Sequence, residues 1–316
     1  MPNTKALASY EEREKRFTGA HALCAGCGTP IAVRAVLNAI EEPVVVVTAT
    51  GCLEVATTRY PTTAWNVPWL HVAFENAAAV ASGVESAYRV LRRRGKISKE
   101  IRFVAFAGDG GTYDIGLQAL SGALERGHRF LYVCCDNEAY MNTGNQRSGA
   151  TPFAAQTSTA PVGQESFGKI QRRKDLTEIV VAHRIPFVAQ ASIGDWYDLA
   201  NKVRKAISTD GPSFINVMSS CPRGWGHDAN QTVKITRLAL ETCFWPLFEV
   251  EDGRWSLNYV PEERLPIEMW LRPQKRFAHL FEPQEKTELL REIQKQVDRD
   301  WERLLQWCEV SACASV

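Results

Sequence analysis

Five short apolar runs, each rich in β-branched residues, recur along the chain: VVVVTA (44–49), IRFVAFAG (101–108), RFLYVCC (129–135), IPFVAQAS (185–192) and SFINVMS (213–219). A strand that is apolar on both faces needs cover on both, which is the setting of a parallel sheet between two helical layers. Helical patterns fill the intervals. In ENAAAVASGVESAYRVLRRRG, Val80, Val84 and Leu91, with Ala77, Ala87 and Tyr88, draw one apolar face, and the run stops at Gly95. TPIAVRAVLNAIEE, DIGLQALSGALERG, DLTEIVVAHR and DWYDLANKVRKAIS have the same character. Strands alternating with helices predict a doubly wound, mostly parallel α/β domain over about residues 20–220, preceded by an N-terminal extension at 1–19.

The rhythm changes in two places. Residues 140–174 are rich in Thr, Ser, Gly, Gln and Pro and show no period; a loop of that length inside a domain is usually functional. From 221 to 316 the chain predicts a C-terminal arm and helix, packed on the same domain or on partner subunits. The arm is irregular and rich in Trp and Pro, with short strands around LFEVEDGRWSLN, and EKTELLREIQKQVDRDWERLLQW reads as the closing amphipathic helix.

A chain of 316 residues with 45% hydrophobic and 23% charged residues has the balance of a soluble globular protein. Lys and Arg (37) nearly cancel Asp and Glu (36), which leaves no electrostatic case for nucleic acid or an anionic membrane. No run approaches the ~18 apolar residues that would span a bilayer. The opening MPNTKALASYEEREKRF lacks the apolar core of a signal peptide, so a cytoplasmic setting is expected, where thiols stay reduced. Nine cysteines, an odd number, then point to metal ligation or reactive thiols rather than to a disulfide framework.

In an open α/β sheet, ligands sit beyond the carboxyl ends of the strands. Polar residues and cysteines gather there: TGCLE with Cys52 follows the first run, GDGGTYDIG the second, DNEAYMNTG the third and SCPRGWG with Cys221 the last. Gly108, Gly110 and Gly111 surround one acid, Asp109. Glycines let backbone N–H groups approach a phosphate closely, and the carboxylate makes sense if a divalent cation bridges it to that phosphate. Mg²⁺ takes oxygen ligands, and Asn137, 28 residues on, offers its side chain while Ala139 offers its carbonyl. The plainer alternative is a capping Asp in an ordinary strand–turn–helix; Asn137 at the next strand end favours the cation.

Cys24 and Cys27 stand three apart in GHALCAGCG, a spacing that suits a metal centre, a redox disulfide or plain packing. Cys134 and Cys135 lie inside an apolar strand and read as core. Cys243, Cys308 and Cys313 carry no functional signal.

A GDG followed 25–30 residues later by Asn resembles the thiamine-diphosphate (TPP) binding motif. More narrowly, GHALCAGCG, ATGCLE, GDGGTYDIGLQALSGALERGH, DNEAYMNTGNQRSGATP and CPRGW together resemble the β subunit of pyruvate:ferredoxin oxidoreductase and its 2-oxoacid relatives, across nearly the whole chain. The resemblance implies a TPP-binding fold, Mg²⁺ on Asp109, Asn137 and Ala139, and one four-iron four-sulfur cluster on Cys24, Cys27, Cys52 and Cys221. It implies oxidative decarboxylation of a 2-oxo acid, pyruvate by default, with electrons passing to ferredoxin and the acyl group to coenzyme A. It places Asn142 at the reacting end of the cofactor. Partner subunits of α, γ and δ type, one carrying ferredoxin-like clusters, complete the site, because the carboxylate that faces the aminopyrimidine comes from a partner.

Alternatives stay open at this point: a structural Cys₄ zinc site, a thioredoxin-type disulfide, or a TPP decarboxylase without redox chemistry. Position 145 departs from the pattern, with Asn where an apolar residue or Gly is expected. An amide beside the substrate would suit a second carboxylate and opens an oxalate reading, with Asn145 in the pocket. The basic stretches RRRG (92–95) and QRRK (171–174) read as solvated charge, with partner or coenzyme A contact as the alternative.

Overall fold

The apolar runs form β1 (Val44–Ala49), β3 (Arg102–Gly108), β4 (Leu131–Asp136), β5 (Phe187–Ser192) and β6 (Ser213–Met218). A further short strand, β2 (Trp69–Val72), and a hairpin of β7 (Phe248–Glu251) and β8 (Arg254–Leu257) join them. The computed structural model describes residues 15–313; the N-terminal extension before residue 15 lies outside them. All eight strands lie in one sheet of order β2-β1-β3-β4-β6-β5-β7-β8. β1 to β6 are parallel, and the hairpin extends the β5 edge in antiparallel fashion.

Every residue of β4, β5 and β6 is buried, because helices cover both faces. The helices α1 (Thr29–Ala39) and α6 (Trp196–Ser208) bury Val33, Val36, Leu199 and Val203 against one face. On the other face α3 (Ala77–Arg93) and α4 (Leu117–Glu125) contribute Ala78, Ala81, Leu120 and Leu124. Each fully buried Val or Ile contributes about 1.5–3 kcal/mol.

Two short helices follow strand ends, α2 (Cys52–Thr57) after β1 and, much later, α7 (Pro222–Trp225) after β6; α5 (Leu176–Val181) leads into β5. β1 has β2 on one side and β3 on the other, so the chain reverses its direction of winding between β1 and β3. A crevice opens beyond the carboxyl ends of such a strand pair.

The arm after Cys221 carries a helix that the composition of the segment did not announce, α8 (Thr232–Glu241), and a short turn of helix, α9 (Glu268–Leu271). The closing helix α10 (Thr287–Cys313) lies on the hairpin, with the Trp255 and Trp307 rings 4.5 Å apart. No described helix is long and apolar enough to cross a membrane.

Residues 140–174 contain no long element, yet they are folded onto the core: Ala150, Ala154 and Ala155 are fully buried. Lys169 is buried too, and its Nζ donates to the carbonyls of Thr151 (2.5 Å) and Arg172 (3.2 Å). In the QRRK stretch Gln171, Arg172 and Lys174 are exposed, in keeping with the solvated reading, and Arg173 is the correction to it. Arg173 stacks on Trp245 at 4.7 Å and reaches inward, and Lys174 holds Asp114 at 2.6 Å.

Arg173 and Arg276 clamp a buried acidic pair, Asp136 and Glu138, at the carboxyl end of β4. Arg276 Nη2 donates to Glu138 Oε2 at 2.5 Å, Arg173 Nη1 to Glu138 Oε1 at 2.9 Å, and Arg173 Nη2 to Asp136 Oδ2 at 2.8 Å. Removing one partner of a buried pair leaves a charge stranded. Arg276→Met is therefore expected to cost about 3–5 kcal/mol, read as a lower urea midpoint, with most of the loss recovered by adding Glu138→Gln. A loss below about 1 kcal/mol would show that the clamp is not needed.

Candidate active site

β3 ends in Gly108, and Asp109 opens a wide turn of π-helix, Gly110–Asp114, before α4. The Asp109 side chain is fully buried, and its two oxygens have different tasks. Oδ2 accepts the Ser148 hydroxyl at 2.5 Å, which anchors it to the 140–174 loop. Oδ1 faces the next strand end, where the backbone N–H of Asn137 lies 3.4 Å away. Burial, and then the charge of Asp136, push this carboxyl well above the usual carboxylate range. A positive charge beside it would reverse that shift.

The tip of the Asn137 amide stands 3.0 Å from Asp109 Oδ1 and 2.8 Å from the Ala139 carbonyl. With N–H₂ at that tip, the amide donates to both. With its oxygen there, it stands from each of the other two oxygens at about the spacing of adjacent corners of an Mg²⁺ octahedron, ~2.9 Å for bonds of 2.0–2.1 Å. The side chain can thus serve either condition by turning over. The neighbouring Asp136 is held by Tyr113 Oη at 2.5 Å and Arg173, and the Asn137 carbonyl accepts Trp225 Nε1 at 2.8 Å.

These groups open onto a cavity of about 260 Å³ between the carboxyl ends of β1, β3 and β4. Gly51 and Gly108 line it, and a Cβ on either would project into open space. That leaves backbone available to a ligand on two sides. Leu53, Phe74, Phe106 and Met141 give it apolar walls, and Asn142 and Thr143 are exposed at its rim. Arg, Lys and His are missing from this lining among the described residues.

Cys52 is also part of the wall, and the other three predicted thiols converge on it from the far side. The Cys24–Cys27 loop is tied to α2 by Ala22 N–H to Ala56 O at 2.8 Å, and to the Cys221 segment by Gly28 N–H to Ser220 O at 3.0 Å. Gly26 has φ +75°, and a Cβ there would stand 2.4 Å from the Ala229 carbonyl, so only glycine permits this close seating. The Cys52 thiol is pushed up to about 12 by burial and then by Cys221, Cys27, Cys24 and Asp109. Burial raises Cys27 and Cys221 as well, offset by donors aimed at the sulfurs: Thr29 at Cys27, and the backbone N–H groups of Gly224 and Arg223 at Cys221. Among the described residues, no three Cys, His, Asp or Glu side chains close around a single-ion position.

The structure therefore gathers Gly108, Asp109, Gly110, Asn137, Ala139, Asn142 and Cys52 around one cavity. Gly111 packs behind it, where a Cβ would come 3.1 Å from the Phe74 carbonyl. Asn145 is a correction: it stands outside the lining. Its backbone is left-handed, φ 65°, a conformation that Asn tolerates better than other side chains. Cys135, read as plain core, is buried but lies on the cavity wall, while Cys134 points into the opposite core layer. Spacing gave no hint of Ser148 or Met141, since the 140–174 loop has no period to register them.

A family model described as the thiamine pyrophosphate enzyme C-terminal TPP binding domain matches residues 49–217. The chain is 51% identical to pyruvate synthase subunit PorB of Thermotoga maritima, over 98% of this chain and 98% of that protein. It is 43% identical to ketoisovalerate oxidoreductase subunit VorB of Pyrococcus abyssi, over 94% of each. Among solved structures, 2-oxoglutarate:ferredoxin oxidoreductase from Magnetococcus marinus has a TM-score of 0.55 at 20% identity, covering 72% of this chain and 81% of that one, a likeness of fold.

Proposed function

Because the chain belongs to the family of pyruvate synthase PorB subunits, within the thiamine pyrophosphate enzymes, we propose that it is the β subunit of a TPP-dependent 2-oxoacid:ferredoxin oxidoreductase acting on pyruvate. The observation that carries this reading is the shared wall: Cys52 borders the cavity that holds Asp109 and also stands among four convergent thiols. Bound TPP supplies a nucleophilic carbon for the keto group and a sink for the electrons left by decarboxylation, and a four-iron four-sulfur cluster supplies one-electron transfer out of the site.

The residues of this chain do the holding and the shielding. Asp109, Asn137 and the Ala139 carbonyl fit Mg²⁺ by spacing and by donor type, with diphosphate oxygens as its further ligands. Gly51 and Gly108 leave room for the cofactor beside their backbone. Phe74, Phe106 and Met141 would shield a bound cofactor from water, and Asn142 at the rim could donate to the substrate.

Four cysteine thiols that influence one another beside the cavity are the donor set a four-iron four-sulfur cluster takes. N–H donors directed at Cys221 suit a sulfur that carries negative charge.

Pyruvate is favoured over oxalate by the relatives, since a pyruvate synthase subunit is 51% identical over 98% of this chain. Asn145, the residue that suggested oxalate, is not among the residues lining the cavity. The VorB relative marks branched 2-oxo acids as the natural comparison. Partner subunits complete the site at its exposed rim, and coenzyme A and ferredoxin take the acyl group and the electrons.

The test is an assay of the purified complex with ferredoxin and coenzyme A, offering pyruvate, ketoisovalerate, 2-oxoglutarate and oxalate in turn. Coenzyme-A-dependent ferredoxin reduction should be fastest with pyruvate, by ~10-fold or more, the scale of a methylene-sized misfit. Carbon dioxide release with no acceptor reduced would sink the redox reading.

A further inference from the structure

Asn145 is locked at the backbone. Its N–H donates to the Tyr140 carbonyl at 3.0 Å, and its own carbonyl accepts from Ser158 N–H (3.0 Å) and Ser158 Oγ (3.1 Å). With φ at 65° the side chain comes to rest against Gly224, beside Met141 of the cavity wall. Its Oδ1 atom is 3.1 Å from where a Cβ on Gly224 would stand, and Met141 Sδ is 2.2 Å from the same point. Only a glycine lets both side chains reach the turn. That turn belongs to Cys221, and the Gly224 N–H donates to Cys221 Sγ at 3.4 Å. Among the described residues the Asn145 amide itself makes no hydrogen bond.

A half-buried amide on the turn that carries Cys221, with no hydrogen bond to the protein among the described residues, is free to turn toward a group bound at that thiol. The amide can turn either its oxygen or its N–H₂ toward the turn, and a negatively charged sulfur selects the N–H₂. We propose that Asn145 is a positioning residue for electron transfer: its amide N–H₂ donates toward the sulfur atoms on the Cys221 side of the iron–sulfur centre and raises that centre's reduction potential. The sign follows from charge. Reduction adds one negative charge to the centre, and a donor aimed at its sulfur favours the more negative state. The inference rests on the reading of Cys24, Cys27, Cys52 and Cys221 as cluster ligands.

Two variants of the complete complex test it. Asn145→Gly keeps the left-handed backbone and deletes the amide; Asn145→Asp keeps the shape and removes the donor while adding charge. Iron, sulfide and TPP are measured first, and the potential is then followed by electron paramagnetic resonance on the signal that Cys221→Ala removes or converts. Both variants are expected to retain iron and TPP and to shift that potential to more negative values, Asp further than Gly. An unchanged potential at full iron content would overturn the proposal. So would loss of iron from both variants, which would make Asn145 a support of the fold alone. Parent complex carrying zinc at these cysteines, or no signal assigned to them, is a separate result and would refute the underlying cluster reading instead.

Discussion

An Asp109→Asn complex is expected to purify folded and iron-loaded but without bound TPP. The substitution is nearly isosteric, and an Asn oxygen can still accept the Ser148 hydroxyl that now bonds Oδ2. It also removes a carboxyl that burial and Asp136 already push toward its neutral form, so the fold loses little. What it removes is the one negative charge in the three-oxygen cradle with Asn137 and Ala139. Loss of outer partners alone weakens metal sites by ~10–100-fold, and loss of a direct anionic ligand should exceed ~100-fold. Mg²⁺ and TPP content, together with the thermal midpoint with and without TPP, would read this. Full TPP occupancy in the variant would remove Asp109 from the cation site.

Cys221→Ala should do the converse, keeping TPP while losing the cluster or stripping it to a three-iron form. The Gly224 and Arg223 N–H groups would be left facing a methyl group, a penalty of about 1–3 kcal/mol that the remaining core can absorb. Slow carbon dioxide release from pyruvate should persist, because the cavity and its cation cradle are untouched. Ferredoxin reduction should fall by more than ~100-fold, since electrons then lack their exit. Normal iron content with normal turnover would make Cys221 a bystander.

The parts of this molecule that follow from burial were legible in the residues. β1 and β3 to β6 are near-continuous apolar runs because both faces are covered, and each was visible as such. β2 was not: WLHV is four residues at the sheet edge, and only Val72 is buried. α8 was hidden because TVKITRLALE mixes β-branched residues with charge and begins without a side-chain cap. In the site, GDG and Asn137 pointed to one cavity because strand ends converge on one crevice. The clamp of Glu138 by Arg173 and Arg276 could not be announced, since its partners are 35 and 138 residues apart. Asn145 shows why spacing fails in a loop: its left-handed backbone seats the side chain against Gly224, 79 residues away in sequence.

The central claim, that one chain places a TPP–Mg²⁺ cavity and an iron–sulfur centre on two sides of Cys52, is tested most directly by anomalous diffraction from crystals of the assembled complex, recorded across the iron and zinc absorption edges. The account predicts a compact iron peak bounded by Cys24, Cys27, Cys52 and Cys221, with no zinc signal there, and electron density for a diphosphate against Gly108 and Asp109. A single zinc peak among the four sulfurs, or thiols with no metal between them beside a filled cofactor cavity, would contradict it.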